Sequence, residues 1–301
     1  MKPAPKGIIC LGSNTNVKQL PRLPWGCPNI RGMRVGFEWG ALEPSNDVFD
    51  WAPLDAALQL ATQYNIPLAI TVTPGILTPQ WVYDAGAQSY TLVAGSDMGT
   101  MPLPWDPVYL TKWRTFLWAL GEHADAHPML KYVQLKGFGR KGELYVCSEE
   151  PDATNLMNLG GAMWLDAAQR IIGICAISFP QTPVFVGLSK PFPGPAGLAT
   201  ETAFAKWIND TYPGRFGVMC NSLNAVSNSG YFPNECVQNM RPSGFQMVCS
   251  SRDPVRLGGS LAVAINKGIE LGGQFIEVYL PDVQNPAYQG LFASANTQLG
   301  A

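Results

Sequence analysis

Short apolar runs recur along this chain, most of them followed by a stretch with helical spacing. The strand-like runs are Gly7–Gly12, Gly32–Trp39, Leu68–Pro74, a fourth opening at Lys131, Val184–Leu188, Phe216–Cys220, Gly244–Cys249 and Gln274–Tyr279. Between or after them lie Pro53–Tyr64, Tyr109–Ala126, Gly161–Ser178, Glu201–Thr211, Arg256–Leu271 and Pro286–Asn296, whose apolar residues follow helical periodicity. Parallel strands need a crossover of a dozen or more residues, usually a helix, so this alternation selects a parallel sheet. Eight such units with no polar linker predict an α/β fold, a single (β/α)8 barrel spanning residues 1–301.

Composition agrees with one large core. Charged residues are 14% and hydrophobic residues 47% of 301, less charge than a typical soluble domain carries. A net charge of −2 without a basic run argues against a nucleic-acid partner. No run is long enough to span a membrane, and Gly7–Leu11 is too short for a signal peptide's apolar region. The compartment and the oligomeric state stay open. Seven cysteines without a C-x-x-C pair make a zinc site a poor reading. Cys10, Cys175, Cys220 and Cys249 lie in apolar runs and are expected in the core, whereas Cys27 and Cys236 are expected in loops, where an oxidising compartment would let them pair. The sequon Asn209-Asp-Thr211 would accept a glycan in such a compartment. His123 and His127, at a helix end before Pro128, are expected as surface caps, so no metal and no cofactor is expected.

The most informative stretch is Lys131–Val146, KYVQLKGFGRKGELYV. Gly137, Gly139 and Gly142 spell G-x-G-x-x-G after a strand, the dinucleotide fingerprint, but that motif needs a helix opening at its third glycine. Glu-Leu-Tyr-Val-Cys-Ser-Glu-Glu-Pro follows instead, and no second strand ending in an acid comes about 20 residues later. The other reading is a barrel strand that delivers one carboxylate, Glu143, to the C-terminal face where barrels carry their chemistry. Polar residues expected at the same face are Arg34, Glu38 and Trp39, then Thr73, Asn221, Gln246 and Ser250, and finally Glu277, Tyr279 and Asp282. Separated carboxylates among aromatic residues suit glycoside hydrolysis, in which one acid protonates the leaving oxygen and a second carboxylate attacks the sugar or activates water. Glu143 is the expected acid/base. Glu277 is the first choice for the second role, with its side chain expected at the rim, and Glu38 is the second choice; Glu277 could instead pair with Arg34 or Lys136, and Glu43 is expected to anchor its loop. Trp39, Trp81, Trp105 and Tyr279 are candidate platforms for sugar rings, while Trp113 and Trp118 are expected in the core.

Met33-Arg-Val-Gly-Phe-Glu-Trp-Gly-Ala-Leu-Glu-Pro44, with Val48-Phe-Asp-Trp51 and Leu54-Asp55, resembles the second barrel unit of clan A glycoside hydrolases, especially bacterial β-galactosidase-like barrels. Pro79-Gln-Trp81 and Pro104-Trp-Asp-Pro107 are similar to connections in those families, and Gly-x-x-Gly-Glu-Leu ending at Leu144 is similar to the acid segment of β-amylases. The resemblance implies an oligo- or polysaccharide substrate, an acid/base at the end of the fourth strand, here Glu143, and a supporting arginine on the second, here Arg34. Two positions depart from the pattern: Gly142-Glu143 stands where the family has Asn-Glu, and the seventh strand offers Gln246 and no carboxylate. That missing nucleophile motivates a competing expectation, a barrel that binds carbohydrate without cleaving it.

Overall fold

A computed structural model describes residues 1–14, 17–95 and 98–301. Eight parallel strands close into a barrel: β1 Gly7–Asn14, β2 Gly32–Glu38, β3 Leu68–Thr73, β4 Leu130–Leu135, β5 Val184–Leu188, β6 Phe216–Leu223, β7 Ser243–Met247 and β8 Phe275–Tyr279. Each strand pairs with its neighbours in sequence, and β1 closes the ring by pairing with β8 from Gly7↔Phe275 to Leu11↔Tyr279. The strands are buried on both faces, as in β3 and β5 throughout, which is why they read as apolar runs instead of alternating ones.

The outward faces of the strands meet a ring of helices that includes Ala52–Tyr64, Pro107–Ala124, Trp164–Ser178, Gly194–Thr211, Leu261–Glu270 and Gln289–Gln298. Pro107–Ala124 starts where Asp106 accepts a hydrogen bond from the Tyr109 backbone N–H at 2.9 Å, and buries Tyr109, Trp113, Phe116, Leu117 and Leu120. Trp118 corrects its expectation: it points away from the barrel and is 49% exposed, because position 118 falls on the solvent side of a helix whose buried stripe runs through 113, 116, 117 and 120. The helix Phe232–Asn239 follows β6, where no helix was expected; it buries Cys236, which therefore does not lie in a loop. All seven thiols are free. The long β3–β4 connection contains a short helix, Gln80–Asp84, and a hairpin of Ser89–Leu92 against Gly99–Pro102.

Inside the barrel the side chains change character with height. Ile9, Ala69, Tyr132, Phe185, Met219 and Phe275 form an apolar cluster separate from the outer core. Gly217 makes room for it, since a Cβ there would lie 2.2 Å from the Phe185 ring. Nearer the C-terminal ends the lumen turns polar, with Arg34, Thr71, Gln134 and Glu277 all buried. An apolar floor under a polar upper layer directs any chemistry to one end of the barrel.

Candidate active site at the barrel mouth

A cavity of about 790 Å³ opens at the C-terminal ends of the strands. Its charged lining is Arg34 from β2, Lys136 just after β4, and Lys141 and Glu143 from the following loop, with Thr71, Thr73, Gln246 and Tyr279 adding polar groups.

β4 supplies Tyr132 and Gln134 in alternation, and Lys136, the residue just after the strand, continues that alternation on the inward face. The chain then folds back on itself, with the Gly137 and Phe138 N–H groups donating to the Gly142 carbonyl at 2.6 and 3.1 Å. Gly142 has φ +77°, and a Cβ there would lie 2.7 Å from the Lys136 Cβ; only glycine permits this return. From outside, the Tyr109 hydroxyl donates to the Gly137 carbonyl and the Trp164 indole N–H to the Phe138 carbonyl, both at 2.8 Å. No helix opens at Gly142, so the third glycine turns a loop and does not begin a phosphate-binding helix.

The loop delivers Glu143 onto Lys136. Lys136 Nζ donates to Glu143 Oε1 at 2.6 Å, and the Asn221 amide of β6 donates to the same oxygen at 3.1 Å. The Glu143 side chain retains 32% of its surface while that of Lys136 retains 8%. Burial pushes the Glu143 carboxyl up, but the Lys136 charge and hydrogen bond, with Arg34 and Asn221, outweigh it and hold the carboxyl below its ordinary value. Burial lowers the Lys136 pKa, with Glu143 opposing that shift.

Glu277 lies deeper than expected. Arg34 Nε lies 2.8 Å from Glu277 Oε1, the Tyr132 hydroxyl donates to that oxygen at 2.6 Å, and the Glu277 side chain is fully buried. The expectation that it stands at the rim is corrected: Tyr279, two residues on, occupies the rim, because each inward step along a strand rises by about 6.6 Å. Oε2 of Glu277 has no hydrogen-bond partner. Burial raises its pKa while Arg34, Tyr132 and Lys136 draw it back. Arg34 is held a second time by Gln246, its Nη2 donating to Oε1 at 2.8 Å.

The remaining candidates separate. Gln246 and Tyr279 line the cavity with Arg34 and Glu143. Glu38 is exposed where the helical turn Trp39–Leu42 begins and is not part of the lining. Trp39 is fully buried, donates to Glu43 Oε2 at 2.7 Å, and packs its ring against Trp113 with centroids 4.9 Å apart. Trp81 packs edge-on against Trp39 and donates to the Glu43 carbonyl, so Glu43 anchors its loop. Trp105 is buried with its N–H on the Leu159 carbonyl. Asp282 is buried and accepts from the Ser251 N–H and hydroxyl, tying the turn after β7 to the chain after β8. Lys136, Tyr132 and Thr71 belong to the site or its support without having been singled out as candidates. The signal for the first two was the alternation from Tyr132 through Gln134, which carries Lys136 inward.

Among the described residues, no group of three His, Cys, Asp or Glu side chains is arranged to hold a metal ion, and no helix is long and apolar enough to cross a membrane.

No family model and no curated protein matches the chain. Solved structures do. The catalytic domain of β-amylase from Paenibacillus polymyxa is 10% identical over 97% of this chain and 99% of that one, with a TM-score of 0.66. The likeness is one of fold. A β-galactosidase from the psychrophilic Marinomonas ef1 aligns at 10% identity and TM-score 0.60 over 97% of this chain, which spans 59% of that protein. A psychrophilic family 10 endo-β-1,4-xylanase aligns at 8% identity and TM-score 0.52, over 91% of this chain and 86% of the other. The architecture is thus the one shared by these three glycoside hydrolases.

Proposed function

We propose that this chain is a glycoside hydrolase that cleaves O-glycosidic bonds of an oligo- or polysaccharide, with Glu143 as its acid/base carboxylate. The observation that carries the reading is that Glu143, of all described carboxylates, lines the mouth cavity, at the barrel end where such folds keep their chemistry. The amylase, galactosidase and xylanase activities belong to the neighbours; by fold analogy they make a glycan the ligand to test first.

Glu143 begins the cycle ionised, because Lys136 keeps its proton off. In that form it suits the removal of a proton from water. To donate a proton to a leaving oxygen it must first lose Lys136, and a sugar hydroxyl inserted between the two would have that effect. Burial would then act on Glu143 with less opposition and raise its pKa toward that of a useful acid. Glu277 is a supporting residue in this scheme. A buried carboxylate already paired with Arg34 and Tyr132 is poorly suited to attack a sugar, so Glu277 serves by fixing Arg34 at the cavity wall.

The second reading, a barrel that binds carbohydrate without cleaving it, is favoured by one observation: Glu143 has no second carboxylate beside it in the described cavity lining, whereas the two-acid mechanisms need partners about 5 to 9.5 Å apart. Hydrolysis of a panel of aryl glycosides and oligosaccharides, run beside calorimetric binding, separates the two. Cleavage by the wild type that falls by a factor of about 10² or more in folded Glu143→Gln supports the hydrolase. Binding without cleavage transfers the conclusion to the second reading, and absence of both overturns each.

A further inference from the structure

Two helices on the flank of the barrel leave apolar side chains in solvent. Trp118, the only exposed tryptophan among the described residues, stands 49% exposed on Pro107–Ala124, and Ile177 stands 65% exposed on Trp164–Ser178. The two are neighbours, since both line each of two hollows of about 230 and 480 Å³. Ile174 lines one of these hollows and Pro180 the other, so the apolar surface extends to both sides. Single exposed apolar residues are ordinary, but a tryptophan joined to isoleucines marks an interaction surface. Tryptophan is also enriched among the residues that carry the energy of such contacts.

The charges beside Trp118 identify the partner. Arg114, Trp118 and Glu122 are four residues apart on one helix, so they form a stripe along a single face, about 6 Å from one to the next. All three are exposed. Other exposed helical charges are matched within their own helix, as in Asp166 with Arg170 and Lys206 with Asp210. Arg114 and Glu122 lie two turns apart, and among the described residues neither takes part in an ion pair. A stripe that reads positive, aromatic, negative is complementary to itself when reversed. Placed antiparallel about a two-fold axis that passes Trp118, Arg114 faces the partner's Glu122, Glu122 faces the partner's Arg114, and the two indoles meet at the centre. Parallel placement would set like charges opposite one another. A closed two-fold dimer needs such a self-complementary patch.

We propose that this face is a homodimer interface. A second copy of the chain packs its own Pro107–Ala124 helix antiparallel on this one, with Trp118 at the two-fold axis, Ile177 beside it, and two Arg114–Glu122 pairs at the rim. The apolar centre supplies affinity, and the charged rim fixes the register. No residue lining the two hollows lines the mouth cavity, so each copy keeps its own site.

The test is sedimentation velocity of the full chain over a concentration series reaching about 100 μM, with folding of each variant checked by circular dichroism. The wild type should sediment as a dimer, and Trp118→Glu, a change at an exposed position, should sediment as a folded monomer. Arg114→Glu and Glu122→Arg should each weaken dimerisation by at least about tenfold, because each sets like charges opposite one another twice per dimer. Mixed in equal amounts, those two variants should pair with each other, and the double variant Arg114→Glu/Glu122→Arg should recover the wild-type dimer. A wild type that stays monomeric throughout the series overturns the proposal, whatever other partner the face takes. A dimer that survives Trp118→Glu uses another face and overturns it as well. If Trp118→Glu dissociates the dimer while the charge variants leave it unchanged, the antiparallel pairing is overturned.

Discussion

Arg34 and Glu277 stand on the two strands that flank β1, and their side chains meet inside the barrel at 2.8 Å, with 7% and no exposure respectively. The pair closes the lumen beneath the cavity and fixes the guanidinium that forms part of its wall. Removing one member leaves a buried charge without its partner, which costs about 3 to 5 kcal/mol, whereas replacing both by apolar residues of similar volume is often neutral. Arg34→Met and Glu277→Leu should therefore each be strongly destabilising in urea denaturation, and the double variant should recover most of the loss. Single variants within about 0.5 kcal/mol of wild type would mean the pair has no such role.

Glu143 makes an acid-side prediction. Its folded pKa is held below the ordinary value of 4.5, so its interaction with Lys136 stabilises the native state above about pH 4.5 and is lost as pH falls through the lower folded value. Comparing the urea midpoints of wild type and Glu143→Gln across pH 2.5 to 7 checks the sign. The wild-type advantage should be present at neutral pH and vanish in acid; an advantage that grows in acid would reverse the assignment.

Glu201 makes the opposite prediction. It lies 1% exposed on the helix Gly194–Thr211, its Oε1 has no hydrogen-bond partner, and burial pushes its pKa up to about 7 from 4.5. A raised folded pKa means that its stabilising contribution is full below pH 4.5 and lost as pH rises through about 7. At pH 8, Glu201→Gln should be more stable than wild type by up to roughly 3 kcal/mol, at about 1.36 kcal/mol per pKa unit. At pH 4 the two should nearly coincide. Equal stabilities at both pH values would show that the carboxyl finds solvent or a partner when it ionises.

Gly142 tests the loop that carries Glu143. With φ +77° and a Cβ position 2.7 Å from Lys136 Cβ and 3.0 Å from Pro74 Cδ, Gly142→Ala should lose about 1 to 3 kcal/mol through the disfavoured backbone conformation. It should also weaken ligand binding, because relief of the clash displaces Lys136. Wild-type stability together with wild-type binding would show that the turn tolerates a side chain.

Tyr279 and Trp39 should respond in different ways. Tyr279→Ala removes the aromatic group of the cavity lining and should reduce glycan affinity with a modest loss of stability. Trp39→Ala empties a fully buried site packed against Trp81, Tyr109, Trp113 and Phe116, and should cost about 3 to 5 kcal/mol. Thermal unfolding and calorimetric titration of both variants distinguish the roles; a folded Trp39→Ala that has lost only ligand binding would restore that tryptophan as a platform.

The barrel was legible in the sequence because its strands are buried on both faces and its helices on one, and each condition leaves a periodicity that a linear reading detects. β5 matches its expected span of Val184–Leu188, and the helix Ala52–Tyr64 begins one residue before its expected start. Glu143 was legible as well, since a strand running into closely spaced glycines announces a turn at a strand end. What the tertiary structure decided was height and facing. Alternation tells which residues of β8 point inward but not which of Phe275, Glu277 and Tyr279 reaches the mouth, because height depends on strand register around the ring. The tryptophans were equally undetermined: a large aromatic side chain serves as core or as platform with the same chemistry, and only the packing of Trp39 against Trp81 and Trp113 assigns it to the core. The pairings of Arg34 with Glu277 and of Lys136 with Glu143 complete the division. The first joins residues far apart in the chain, the second is made by a loop that returns on glycine, and both set proton affinities through distances that only the closed barrel defines.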